Sequence, residues 1–213
     1  MSDALTVVVD RLRALRKSLA PDRAALVAVS GIDAAGKGWL AARMTAGLQS
    51  AGLNAANINI DGWLNLPAKR FSQRDPAEHF YRHAIRFDDM FGKLVLPLRD
   101  CRSVHVEADY AEETATQYRR QIYDFKDIDV IVLEGIYLLK HEFRRYYDFS
   151  VWVECSFATA LKRALARGQE GTAPAETIRA YETIYFPAQE IHFARDHPQQ
   201  AATMIFDNEV QVS

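Results

Sequence analysis

The chain has 213 residues, 49% hydrophobic and 25% charged, which predicts a single domain over residues 1–213. Its 26 Lys and Arg against 28 Asp and Glu leave a net charge of −2, a balance that gives no reason to expect nucleic acid or an anionic membrane as partner. Cys101 and Cys155 share no CxxC spacing and are read as reduced packing residues, and charges from Asp3 to Lys17 interrupt any apolar run of the ~20 residues a membrane helix needs. A cytoplasmic protein is expected.

Leu5, Val8, Leu12, Leu15 and Leu19 recur at steps of three and four, predicting an amphipathic helix over about residues 1–20 that Pro21 ends. ALVAVS (25–30) reads as a buried strand, GIDAAGKG (31–38) as a loop, and Leu40, Met44 and Leu48 as a helix closed by Gly52. Ala55–Ile60 reads as a second strand, ending at Asp61. Residues 67–102 are mixed, basic and aromatic, with helical pieces expected around Pro76–His83 and Asp88–Leu94. Val104–Ala108 alternates like a half-buried strand, with Tyr118–Phe125 as its hairpin partner. Val130–Leu133, ending at Glu134-Gly135, and Phe149–Val153 have the unbroken apolar character of central parallel strands. Ser156 predicts the N-cap of a helix that Gly168 closes. Pro174 suits the first turn of the next helix, expected to stop near Pro187, and Thr203–Phe206 reads as the last strand. Strands alternating with helices predict a doubly wound, mostly parallel α/β sheet with helices on both faces.

GIDAAGKG fits the phosphate-cradling pattern G-x-x-x-x-G-K except at its final position, and it lies between a strand and a helix as that pattern requires. Backbone N–H groups curl around phosphate oxygens, the helix N-terminus adds positive potential, and glycines allow the tight path. Gly31, Asp33, Ala34, Ala35, Gly36, Lys37, Gly38 and Trp39 are therefore the expected nucleotide contacts, with Lys37 on the outer phosphates. The usual eighth residue is a Ser or Thr whose hydroxyl ligates Mg²⁺; here it is Gly38. Mg²⁺ would then be held by phosphates, water and the acidic residues Asp61 and Glu134.

Asp61 ends the second strand, at the sheet edge where ligands bind in open α/β folds. It is read as the base accepting a proton from an attacking hydroxyl, against the alternative of a turn aspartate. Glu134 is read as the acid that orients metal-bound water, against a strand-end acid making local hydrogen bonds. Arg163 and Arg167, four apart on one helix, either close as a lid over a transferring phosphate or form a solvated basic face. His79 and His83 have zinc-pair spacing but lack the glutamate of H-E-x-x-H, so a polar helix face is favoured. The aromatics Trp63, Phe71, Phe80, Tyr81 and Phe87 with Arg70, Arg74, Arg82 and Arg86 line a polar site or are ordinary packing.

These residues resemble the uridine kinase-like group of P-loop small-molecule kinases, relatives of phosphoribulokinase and pantothenate kinase. The resemblance runs from about Ala25 to Asn208 and rests on GIDAAGKG, IDGWLNLP, HFYRHAIRFDDMFGKLVLPLR, VIVLEGIYLL, YDFSVWVE, ALKRALARG, YFPAQ (Tyr185–Gln189) and FDN (Phe206–Asn208). It implies a P-loop NTPase fold with a small lid over about residues 163–175 and an acceptor-binding insertion over about residues 63–127. It further implies ATP and Mg²⁺ as cofactors and transfer of the γ-phosphoryl group to a hydroxyl of a nucleoside-like small molecule. Lys37, Asp61, Arg163 and Arg167 would be catalytic, Glu134 and Asp61 would support the metal, and Asp61, Arg70, Tyr81 and Arg82 would meet the acceptor. Family members often self-associate, so a homo-oligomer is compatible with the resemblance. Two other readings stay open: a nucleotide-binding protein with little or no kinase activity because of Gly38, and an NTP hydrolase that drives a partner.

Overall fold

The computed structural model describes residues 3–168 and 173–209. Helix α1 (Asp3–Ser18) buries Leu5, Val8 and Leu12, the stripe expected from their spacing, and packs on α2 (Lys37–Ser50). Between them β1 (Ala25–Gly31) is buried at every position, as its unbroken apolar run requires. β2 (Ala55–Asn59) leads into a 3₁₀ turn, Ile60–Gly62, which carries Asp61. The stretch that follows holds α3 (Pro67–Arg70), α4 (Pro76–His83), α5 (Phe87–Met90), α6 (Leu96–Cys101) and an antiparallel hairpin of β3 (Val104–Tyr110) and β4 (Arg119–Phe125). The chain then rejoins the sheet as β5 (Val130–Gly135), also buried throughout. β6 (Phe149–Glu154), α7 (Phe157–Arg167), α8 (Pro174–Ala180), α9 (Phe186–Asp196), α10 (Pro198–Ala201) and β7 (Met204–Asp207) complete the order.

The sheet runs β2-β5-β1-β6-β7 and every pairing is parallel. From β1 the chain steps one way to β2, and from β5 it steps the other way to β6 and on to β7. Right-handed crossovers place those connections on opposite faces, so α2 covers one face and α7–α9 the other. The topology also gathers the carboxyl ends of β1, β2 and β5 at one edge, with Ser30 opposite Gly135 and Asn59 opposite Glu134.

Local signals set the helix ends. The Ser156 hydroxyl accepts from the N–H of Thr159 at 3.2 Å, and Gly168 ends α7 at φ 60°. Pro187 does not end a helix, contrary to expectation. α8 continues through a π turn, Tyr181–Tyr185, into α9 and on to Asp196. The widened turn lies where a proline ring would otherwise strike the carbonyl four residues back, so the helix survives. The same device recurs at Pro97, which follows the π turn Phe91–Val95. The piece expected over Asp88–Leu94 is therefore α5, that turn and α6 in succession. Among the described residues no helix is long and apolar enough to cross a membrane.

Candidate active site

The loop after β1 is shaped by its neighbours. A Cβ on Gly31 would stand 2.7 Å from the carbonyl oxygen of Val153 on β6, so only glycine lets the loop start this close to the sheet. Ala34 and Gly36 take left-handed conformations at φ 55° and 94°. The turn delivers the chain into α2, whose N-terminus has no side-chain cap, leaving its first N–H groups for an anion. Lys37 is only 8% exposed, and its ammonium donates to the carbonyl of Ile32 at 2.8 Å, folded back over its own loop.

Side chains from outside the loop brace it. Asn208, just past β7, donates from Nδ2 to the carbonyl of Ala35 at 2.7 Å. Arg163 on α7 donates to that carbonyl at 3.3 Å and to the carbonyl of Asn208 at 2.6 Å, so its guanidinium is tied to the loop. Asp33 accepts from the N–H of Ala34 at 2.9 Å and from the hydroxyl of Tyr181, while Arg167 stands 3.9 Å from it. Arg163 and Arg167 share one face, as their spacing predicts. The expected lid over about 163–175 includes 169–172, which lie outside the described residues.

At the adjoining strand ends sit two carboxylates with Asn59 beside them. The Asn59 Oδ1 accepts from the N–H of Asp61 at 2.6 Å, and Asn59 pairs in register with Glu134. Glu134 is buried, and desolvation pushes its carboxyl up to about 7 against the pull of Lys37, with Asp61 adding to the rise. Asp61 opens onto the cavity but is ringed by protein atoms. That desolvation raises its carboxyl too, opposed by Lys37 and aided by Asp33.

A cavity of about 400 Å³ joins these parts: Asp33, Lys37, Asp61, Glu134, Arg163 and Arg167 all line it. Ala34, Gly36, Gly38 and Trp39 line it as well, while Gly31 and Ala35 lie behind as supports. Arg70, Tyr81 and Arg82 are not in its wall. Arg70 is buried and donates to the carbonyl of Glu113 at 2.5 Å. Tyr81 donates to Asp196 at 2.5 Å, in a buried cluster with His192, and Arg82 pairs with Glu78 on the α4 surface. Trp63 stacks on Tyr123 under the hairpin and Phe87 on Phe143, so of the aromatics singled out only Phe80 reaches the cavity.

Asn59 and Glu113 carried no sequence signal for this site: one is an ordinary strand residue and the other lies between hairpin strands. Tyr185, Gln189 and Asn208 were visible inside YFPAQ and FDN, but nothing in those segments alone assigned them a position.

The donor set suits Mg²⁺ bound mainly through phosphates. Among the described residues no group of three or more His, Cys, Asp or Glu could hold a metal, so Asp61 and Glu134 would supply two carboxylates and phosphates and water the rest. A Cβ on Gly38 would lie 3.5 Å from Glu134 Oε1, so a hydroxyl there would have stood beside this carboxylate.

Comparison with solved structures finds the same fold at low identity. A possible uridine kinase from Bacillus stearothermophilus aligns with a TM-score of 0.69 at 18% identity, covering 94% of this chain and 100% of that one. A D-glycerate 3-kinase from Cryptococcus neoformans aligns with a TM-score of 0.61 at 14% identity, covering 88% and 86%. Comparison with curated protein sequences gave no significant match. The model of the Phosphoribulokinase / Uridine kinase family matches residues 26–172, more than half of the chain. With that match on a parallel sheet whose first strand ends in a phosphate loop, the chain belongs to the phosphoribulokinase/uridine kinase family of P-loop kinases.

Proposed function

We propose that this protein transfers the γ-phosphoryl group of ATP, in the presence of Mg²⁺, to a hydroxyl of a small nucleoside-like acceptor in the cytoplasm. The observation that carries the reading is that Lys37, Asp61 and Glu134 face one cavity at the carboxyl edge of three adjacent parallel strands.

The triphosphate would lie along the loop and the start of α2, and Lys37 would exchange the Ile32 carbonyl for phosphate oxygens. Asp61 would accept the proton of the acceptor hydroxyl as its oxygen bonds to the γ-phosphorus. The bond from that phosphorus to the bridging oxygen breaks, and ADP leaves. A carboxylate whose pKa is raised by burial takes that proton more readily. Arg167, and Arg163 from its anchored position, would balance charge spread over the equatorial oxygens. Mg²⁺, when bound, would neutralise charge on the triphosphate, and Glu134 and Asp61 would be the residues that hold it. Catalysis is then positioning and electrostatics.

ADP release by the purified chain, screened over nucleosides, sugars and vitamins with an Asp61→Asn control, tests this reading. Acceptor-dependent release that the control lacks supports it. Gly38 motivates a second reading, a nucleotide-binding protein with little kinase activity, which ATP binding without any acceptor-dependent release would favour. Steady ADP production without acceptor would favour the NTP hydrolase instead.

A further inference from the structure

The cations of the cavity are confined to one side of it. The cations that line it, Lys37, Arg163 and Arg167, come from the phosphate loop side and α7. The wall supplied by the chain between β2 and β5 and by α9 includes Asp61, Glu113 and Gln189 beside the apolar Leu64 and Phe80, with no cation among its described lining residues. Gln189 is 1% exposed and its Oε1 has no hydrogen-bond partner. In either amide orientation a hydroxyl reaching it would satisfy that end.

Glu113 is held by Arg70. The guanidinium is 2% exposed and donates to the Glu113 carbonyl, and its Nη1 lies 3.8 Å from the Glu113 carboxylate. Arg70 does not line the cavity whereas Glu113 does, and the two charged groups face each other at 3.8 Å without a hydrogen bond between them. The cavity therefore meets the anion of the pair. A carboxylate only accepts hydrogen bonds and can take two parallel ones, as from neighbouring hydroxyls of one ligand. It repels a carboxylate or phosphate brought alongside.

We infer that Glu113 is a specificity-determining residue, and that the acceptor is neutral and polyhydroxylated, a sugar, polyol or nucleoside ribose, with hydroxy acids and sugar phosphates discriminated against. Together the carboxylates of Asp61 and Glu113 form a pair of acceptors that asks for a ligand rich in donors, while the Gln189 amide can meet a hydroxyl in either orientation. This inference rests on the kinase reading above and narrows it to one charge class.

The test uses the full chain with Mg²⁺ and ATP and acceptor pairs that differ in charge: glycerol and glycerate, ribose and ribose 5-phosphate, uridine and uridine 5′-phosphate. The neutral member should show a kcat/KM at least about tenfold higher. Glu113→Gln should raise KM for that member several-fold with kcat within about twofold, the signature of lost ground-state binding. Glu113→Lys should shift preference toward the acid. Equal or better use of the acids, or an unchanged KM in Glu113→Gln, overturns the inference. So does a preference for acids that Arg70→Lys abolishes, which would put the anion on Arg70. If no acceptor is phosphorylated the kinase reading fails, and the acceptor class is read from thermal stabilisation of the ATP-loaded chain. Stabilisation by the neutral members alone upholds it; stabilisation by the acids, or by neither, overturns it.

Discussion

Asn208, beyond the last strand, supports Gly36 in the phosphate loop: its side-chain amide holds the Ala35 carbonyl at 2.7 Å and fills the space a Cβ on Gly36 would need. Residues 172 positions apart in sequence thus shape one turn of backbone. Gly36→Ala would collide with that amide and force a side chain onto φ 94°, a strain of about 1–3 kcal/mol. Loss of ATP binding by calorimetry is expected, with a lowered Tm. Asn208→Ala should weaken ATP binding less, because Arg163 still holds the same carbonyl.

Gly38→Ser should fold normally. The new Cβ would meet Glu134 Oε1 at 3.5 Å, ordinary contact. Its hydroxyl would add the oxygen that usually ligates Mg²⁺ in this motif. The expected outcome is half-maximal activity at a several-fold lower Mg²⁺ concentration; an unchanged Mg²⁺ dependence counts against metal binding beside residue 38.

Asp61→Asn removes the proposed base while preserving shape. A fall in kcat of about 10²–10⁴-fold is expected, with ATP affinity kept within a few-fold. Single-turnover phosphorylation beside equilibrium ATP binding separates the two effects.

Glu134 links the site to pH through the fold itself. Burial raises its carboxyl from the ordinary 4.5 to about 7. The folded state therefore holds that proton more tightly than the unfolded one, and the stability this contributes is present below pH 4.5 and lost as pH rises through 7. Glu134→Gln should be more stable than the parent by about 1–3 kcal/mol at pH 8, with the gain vanishing near pH 4. Urea unfolding at the two pH values measures it.

Asp196 works in the opposite sense. Burial alone would raise its carboxyl, but hydrogen bonds from His192, Tyr81 and His141 hold it well below the usual carboxylate range. Stability from this group is present above the ordinary carboxylate pKa and fades as pH falls through the lowered one. Asp196→Asn should cost about 1.5–3 kcal/mol at pH 7, read by urea unfolding, with less difference in acid.

The strands, the phosphate loop and its flanking acids were legible because each depends on local pattern: an unbroken apolar run, glycines at fixed offsets, a carboxylate at a strand end. The opposite wall of the cavity was not. Which way Tyr81 or Arg70 points depends on how α4 and α3 dock, and Tyr81 is claimed by Asp196, 115 residues away, which no spacing near Tyr81 announces. Glu113 enters the cavity only because the hairpin folds back over Arg70. Pro187 misled for a related reason, since its usual effect on a helix is cancelled by a turn that only the backbone reveals.

That turn has a consequence for how the molecule tolerates change. Each residue of a regular helix advances the rotation by about 100°. The extra residue within 181–185 thus sets the phase of everything downstream, including Gln189 toward the cavity and Asp196 toward Tyr81 on α4. Excising one residue there would restore a regular spiral and swing both side chains away together, so α9 is far more sensitive to a deletion than to most substitutions along its length.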